Sequence, residues 1–213
     1  MYNDEMLSVN AKFQDERTLK FVKKFMLLAK TVANDNNACY SRQIGCVIAD
    51  CNHRIVSIGY NGPPTETPHT DTYDYLKNFF VPQLTADETD LLLINPSKNS
   101  IDDWCKSKEG CKQCPRRFVN AGPGQRSTLC SCQHAERNAI VNSTVNIDDC
   151  SIFCWCGVPC IDCSGAIINS GIAEVHCLIV DGPDYHPESR WLLKRAHVEV
   201  FEYHPYYFMP SER

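Results

Sequence analysis

The chain has 213 residues, 43% of them hydrophobic and 22% charged, with a formal net charge of −5. That is the composition of an ordinary globule, and its acidic balance argues against an extended grip on a nucleic-acid backbone, which needs a clustered basic face. No run of about 18 apolar residues is present, so no membrane span is expected, and the polar, acidic start MYNDEMLSVNAKFQDERTLK does not read as a signal peptide, which leaves a cytoplasmic location as the expectation.

In chain order, residues 17–37 carry Val22, Phe25, Met26, Ala29, Val32 and Ala33 at helical spacing, and NDNN supplies a stop. IGCVIAD (44–50) and RIVSIGY (54–60) are apolar and β-branched, and the short CNH between them predicts a hairpin. NGPP then breaks the chain. Residues 65–110 show no clear period. They have room for one or two short helices and read as an insertion, around 71–110, in a single domain spanning 1–213. From 111 to 133 the chain is a loop punctuated by cysteine, glycine and proline, and a loop this long needs pinning to offset its ordering entropy. The rhythm then becomes regular: helix 134–145, strand 151–156, helix 160–169 closed by Gly171, strand 175–180, helix 187–196 and strand 198–203. Strands alternating with helices predict a largely parallel α/β sheet covered on both faces and joined to the early hairpin.

The chain holds fourteen cysteines, ten of them between Cys105 and Cys163. In a reducing compartment such a count reads as metal ligands and buried thiols rather than disulfides. Cys46, Cys150, Cys154, Cys156 and Cys177 sit in or beside strand-like segments and read as core thiols.

The chemistry concentrates in two short stretches. In CQHAERNAI, His134 and Glu136 stand at a predicted helix start. In GVPCIDCSGAI, Pro159 precedes Cys160, and Cys160 and Cys163 share the first turn of the next helix. A helix start stabilises thiolates through its free N–H groups, and two adjacent strand–helix units bring such starts to one sheet edge. One imidazole and two thiolates make a three-ligand zinc site with its fourth position open, which marks a catalytic ion. Glu136 is too near His134 in sequence to be a comfortable fourth ligand and is placed to move a proton. This H-x-E…P-C-x-x-C arrangement is the known signature of zinc-dependent nucleobase deaminases. The implied reaction is hydrolytic loss of an exocyclic amine. Glu136 takes the proton of the attacking water, passes it to the ring nitrogen and helps protonate the departing ammonia, while Ala135 leaves room for the base.

Four ordered blocks, NACYSRQIGCVIAD…RIVSIGYNGPP, LCSCQHAERNAI, PCIDC and NSGIAEV, resemble the deoxycytidylate (dCMP) deaminases. The resemblance covers about half of the chain, and the GYNG block sets it apart from tRNA adenosine, riboflavin-pathway and guanine deaminases, which share only the zinc motif. It implies a three-layer α/β/α cytidine-deaminase-like sandwich around a central mixed five-stranded sheet. It also implies hydrolysis of dCMP to dUMP and ammonia, supplying dUMP for thymidylate synthesis, in a homohexamer. By position, Asn61, Ala135 and Arg42 would contact substrate. Gly59, Tyr60, Asn61, Gly62 and Tyr185 would bind an effector triphosphate with Mg²⁺, dCTP activating and dTTP inhibiting. The family's second, structural zinc would fall to Cys39, His69, Cys114 and Cys130, with Cys105, Cys111 and Cys132 as substitutes. The segment at 71–110 is longer than the family's usual one and bears on sugar and phosphate preference. Rival readings are a deaminase of dCTP, of another base or of a polynucleotide, and a non-catalytic zinc-stabilised interaction module. Retention of Glu136 speaks against the last, since metal binding alone does not require it.

Overall fold

The computed structural model describes residues 7, 10, 14–35, 39, 42–64, 66–67, 72–93, 100–106, 114–122, 125–180 and 186–209. The chain divides into two compact units, one of residues 1–36, 43–61 and 134–213, the other of residues 37–42 and 62–133.

In the first unit, helix α1 (Glu16–Asn34) begins at Asp15, whose carboxylate accepts from the amides of Arg17 and Thr18 at 2.9 and 3.0 Å. That cap satisfies two donors which a helix start leaves open. The stripe Leu19, Val22, Phe25, Met26, Ala29 and Ala33 is buried. The helix stops at Asn34, with Asp35 as its C-cap, short of the expected 37. The predicted hairpin forms from β1 (Gly45–Ala49) and β2 (Ile55–Tyr60), paired antiparallel. Asp50 organises its turn by accepting from the amides of Asn52 and Arg54 at 2.9 and 2.8 Å.

With β3 (Ser151–Cys154), β4 (Glu174–Leu178) and β5 (Glu199–Tyr203), the described residues make a five-stranded sheet in the order β2-β1-β3-β4-β5. β3, β4 and β5 run parallel, whereas β1 is antiparallel to both β2 and β3. The sheet is therefore the mixed five-stranded one that the resemblance implies, with its parallel part confined to β3, β4 and β5 rather than extending through most of it. The hairpin is inserted next to β3, and only the strands joined by crossover helices share a direction. Every residue of β1 is buried, as befits a strand covered on both faces.

One face packs Val47, Phe153, Phe201 and Tyr203 against α1 and the Pro205–Phe208 turn. The other packs Cys46, Ile48, Ile152, Cys154, Val175 and Cys177 against α2 (Ala135–Val141), α3 (Ile161–Asn169) and α4 (Pro187–Arg195), through Ala135, Ala139, Ile167 and Leu193. This is the expected α/β/α layering. Cys46, Cys150, Cys154 and Cys177 are buried as core thiols, while Cys156 lies half-buried at the margin. α2 ends at Val141, not at 145, and beyond it the Ser143 hydroxyl bonds the Val145 carbonyl at 2.9 Å. A serine that satisfies nearby backbone in this way offers the chain an alternative to further helix.

The second unit contains the segment read as an insertion. The turns Tyr73–Tyr75, Leu76–Phe80 and Val81–Gln83 run on one from another, followed by helices Ala86–Leu93 and Ile101–Lys106. Tyr75, Leu76, Phe80, Cys105 and Leu129 form its buried cluster. The long loop is pinned within this unit. The Tyr75 hydroxyl donates to the Leu129 carbonyl at 2.8 Å, and Arg126 donates to the Gln83 carbonyl and the Glu88 carboxylate at 2.7 and 3.1 Å.

Two glycines let helices touch the hairpin's backbone, one on each face. A Cβ on Gly45 would lie 2.3 Å from the Ala29 carbonyl oxygen of α1. One on Gly59 would lie 2.3 Å from both the Ala135 carbonyl oxygen and the Ala139 nitrogen of α2. Beside Gly59, the Ser57 hydroxyl donates to the Ala139 carbonyl at 2.6 Å. Gly59→Ala is expected to destabilise the protein by at least about 1–3 kcal/mol, as overpacking against backbone does. Gly165→Ala, whose added methyl meets nothing within 4 Å, should be neutral or raise stability by up to about 1 kcal/mol. Thermal denaturation of the two variants side by side checks both.

Candidate active site

The site lies where two helices of the first unit begin. His134 precedes α2 and Cys160 precedes α3. Both have extended backbone (φ −73°, ψ 150° and φ −63°, ψ 168°), and neither side chain caps its own helix. Each is therefore free to project from its helix end. The His134 Nδ1 lies 3.4 Å from the Cys160 Sγ and 3.3 Å from the Cys163 Sγ. Among the described residues, these three form the one His/Cys/Asp/Glu group whose ligand atoms all lie within 4.8 Å of one another.

The donor set fits zinc. A tetrahedral ion held at about 2.3 Å from sulfur and about 2.0 Å from nitrogen sets nitrogen–sulfur edges of about 3.5 Å, close to the two separations found. A neutral imidazole and two thiolates also balance a dication. His134 is exposed, Cys160 half-buried and Cys163 buried, so the group is anchored on one side and open on the other. The hydrogen bond from Cys163 holds the Cys160 thiol down at about 3, with His134 adding to the effect, while the same contact and burial push Cys163 up. A dication bound there would displace the thiol proton that remains.

Glu136 occupies the first turn of α2, is only 3% exposed and is not a member of the ligand group. Burial raises its carboxyl above the ordinary carboxylate range. Its Oε1 accepts from the Cys156 thiol at 3.9 Å, and its Oε2 is buried with no hydrogen-bond partner. An unpartnered buried carboxylate oxygen is costly in a folded protein. A water or a base presented to it would satisfy it.

The other sequence candidates are distributed more widely. Ala135 is fully buried beside Glu136. Asn61 is buried, and its Oδ1 accepts from the Ile44 amide at 2.8 Å while its backbone N–H donates to the Ile44 carbonyl at 3.2 Å. Gly59 lies beneath α2, and the carbonyl of the exposed Tyr60 accepts from the Asn138 side chain at 2.7 Å. Gly62 belongs to the second unit and pairs there with Gln133 in a β-bridge. Arg42 is exposed and also belongs to the second unit. Tyr185, His69 and Cys111 lie outside the described residues.

Of the thiols assigned to a second metal, Cys39, Cys114 and Cys130 all fall in the second unit. There the Cys132 thiol hydrogen-bonds with both Cys130 and Cys39, and the contact with Cys132 pulls the Cys130 thiol down. Cys132 is thus more central than its place as a substitute suggested. The signal was the C-x-C spacing, which turns two thiols the same way in an extended chain. Cys156, read as a core thiol, instead reaches Glu136, and the same two-residue alternation from Cys154 points it there.

Residues 19–179 match the family model described as the cytidine and deoxycytidylate deaminase zinc-binding region. A deoxycytidylate deaminase of Saccharomyces cerevisiae is 29% identical over 161 residues, covering 71% of this chain and 35% of that protein. A deoxycytidylate deaminase of Enterobacteria phage T2 is 30% identical over 179 residues, covering 80% of this chain and 86% of that protein. The chain thus spans 35% of the yeast relative's length and most of the phage relative's. Among solved structures, the dCMP deaminase of cyanophage S-TIM5 in its apo form is 21% identical with a TM-score of 0.49, over 86% of this chain and 96% of that one.

His134, Cys160 and Cys163 converge, and Glu136 stands outside that group. Cys160→Ala is expected to lose the ion of this site, whereas Glu136→Ala is expected to retain it. Elemental analysis of the purified variants against wild type reads the difference, and a Glu136→Ala protein depleted of zinc would contradict the assignment.

Proposed function

The chain belongs to the cytidine and deoxycytidylate deaminase family, and from that membership we propose that it catalyses zinc-dependent hydrolysis of dCMP to dUMP and ammonia. The observation that carries the reading is the buried, unpartnered Glu136 Oε2 beside a three-ligand His134, Cys160 and Cys163 group. A structural zinc would be satisfied by four protein ligands and would have no use for such a carboxylate.

Zinc in such a site lowers the pKa of water and so supplies a nucleophile at neutral pH. His134, Cys160 and Cys163 would hold the ion. Glu136 takes the proton of the attacking water, delivers it to the ring nitrogen of cytosine and later helps protonate the ammonia that leaves. Its buried surroundings suit both duties, because a carboxyl raised above its ordinary range gives up a proton and takes one back with little cost. Ala135 is small, and it leaves space for the base beside that carboxylate. The nucleotides proposed as ligands are small, in keeping with a chain of net charge −5, since a polynucleotide would need a basic track.

A structural zinc in the second unit is part of the same proposal, and the thiols of Cys39, Cys130 and Cys132 support it. Such a site would turn metal-binding energy into folding energy for a segment of small core. Membership in the family further suggests a homohexamer of cytoplasmic location, activated by dCTP and inhibited by dTTP with Mg²⁺ on their phosphates, through the turn at 59–62 and Tyr185. An effector of this kind acts by binding two assembly states unequally.

Ammonia release from dCMP, dCTP, deoxycytidine, guanine and tRNA tests the substrate. We expect dCMP to be preferred and Glu136→Ala to lower kcat by at least about a thousandfold, as loss of a proton carrier does; preference for another of these compounds would replace dCMP as the substrate. Two zinc ions per chain are expected, and Cys132→Ser should lower the thermal midpoint; one ion per wild-type chain would remove the structural site. Sedimentation and dCMP saturation curves with and without dCTP and dTTP test the regulation. A monomer with hyperbolic kinetics indifferent to both triphosphates would exclude it.

A further inference from the structure

Beyond the end of β3, the chain stays pinned to its neighbours for two more residues. The Trp155 amide donates to the Gly45 carbonyl at 2.9 Å, and the Cys156 carbonyl accepts from the Leu178 amide at 2.7 Å. Backbone held on both sides leaves the Cys156 side chain little freedom of placement. Alternation along the strand puts Cys156 on the same face as Cys154, the face that packs against α2 and α3. Cys154 in turn makes thiol contacts with Cys46 and with Cys156. A line of sulfurs therefore runs from the core, Cys46 to Cys154 to Cys156, and ends on the Glu136 Oε1, 3.9 Å from the Cys156 Sγ.

Cys156 is not one of the three metal-ligand atoms that converge, and two features make it a hydrogen-bond donor instead. Its buried thiol is pushed well above the ordinary range and keeps its one proton, for which the Cys154 sulfur and the Glu136 Oε1 are both acceptors within reach. Cys163 also reaches Glu136 through a side-chain hydrogen bond. A thiol that ligates a metal must first lose its proton, however. With the ion in place, Cys156 is then the neighbouring thiol that can still donate. The bland alternative is a small apolar filler at the edge of the core, the commonest occupation of a free cysteine. A filler is chosen for volume, whereas a donor is chosen for its proton, and the two make opposite predictions.

We propose that Cys156 is a positioning residue for Glu136: its S–H group holds Oε1, so that the unpartnered Oε2 is the oxygen presented to the water and the base. The assignment rests on the deaminase reading above. It gives the catalytic carboxylate one committed oxygen and one working oxygen. A carboxylate free to rotate would spend part of its time in geometries unfit for proton transfer, and small misplacements of catalytic groups slow turnover severely.

Three variants test it, with kcat, KM for dCMP and zinc per chain measured for each. Cys156→Val keeps an apolar side chain of similar size and removes the donor. Cys156→Ser and Cys156→Thr keep a donor, the first in a smaller side chain. We expect Cys156→Val to lower kcat by about tenfold to a hundredfold with KM within about twofold and zinc retained. Cys156→Ser or Cys156→Thr should recover most of the lost kcat. A Cys156→Val enzyme with wild-type kcat overturns the proposal, as does an order in which both hydroxyl variants are slower than Val, because that order follows packing. Loss of zinc from Cys156→Val also overturns it, since the thiol would then serve the metal. A wild-type protein that releases no ammonia from dCMP fails before any variant is compared, and removes the deaminase reading on which the assignment stands.

Discussion

The seating of α2 directly on the backbone of β2 is the contact on which the candidate site depends. Gly59 presents no side chain to the helix, and the Ser57 hydroxyl is bonded to the Ala139 carbonyl. The helix is thereby drawn against the strand at a distance no Cβ would permit. Its first turn carries Glu136, and the residue before it is His134. A shift of α2 by the width of one methyl group would carry both side chains away from Cys160 and Cys163. The placement of His134 and Glu136 thus depends on a packing contact made by Ala135, the residue between them, and by Ala139 one turn on.

The second half of the site comes from the parallel part of the sheet. β3 leads into the turn through Cys156 and Pro159 to Cys160, which opens α3. Because α2 and α3 cover the same face, their beginnings lie close together, and an imidazole from one meets two thiols from the other. A residue at a helix start in extended backbone points its side chain past the helix rather than along it. This is why His134 and Cys160 converge although 26 residues separate them. Cys163, one turn further in, is buried and is the member of the group that cannot swing away.

The distribution of thiols follows a similar logic of burial. Cys46, Cys154 and Cys177 lie within the sheet and serve as small apolar residues. Cys156 stands one alternation beyond Cys154, where the sheet gives way to the site, and the same chemical group there finds a carboxylate. In the second unit, Cys130 and Cys132 flank a single residue in extended chain and meet Cys39 from a distant part of the sequence. Residue type alone does not separate these roles. Position relative to the sheet edge does.

The sequence by itself determined the local patterns. The apolar stripe of α1, the hairpin punctuated at Asp50–Arg54, the alternation of strands and helices after residue 134, and the H-x-E and P-C-x-x-C spacings all arise from neighbours within a few residues, and all are present in the fold. Helix ends were misplaced by a few residues where a side chain competed with the helix for backbone, as Ser143 does after α2. Only the tertiary structure decided what depends on contacts between distant segments: the antiparallel pairing of β1 with β3, the close approach at Gly59, the thiol of Cys156 on Glu136, and Cys132 between Cys39 and Cys130. The reason is physical. Local periodicity states which face of an element is apolar, but it carries no information about which partner covers that face, or how near the partner comes.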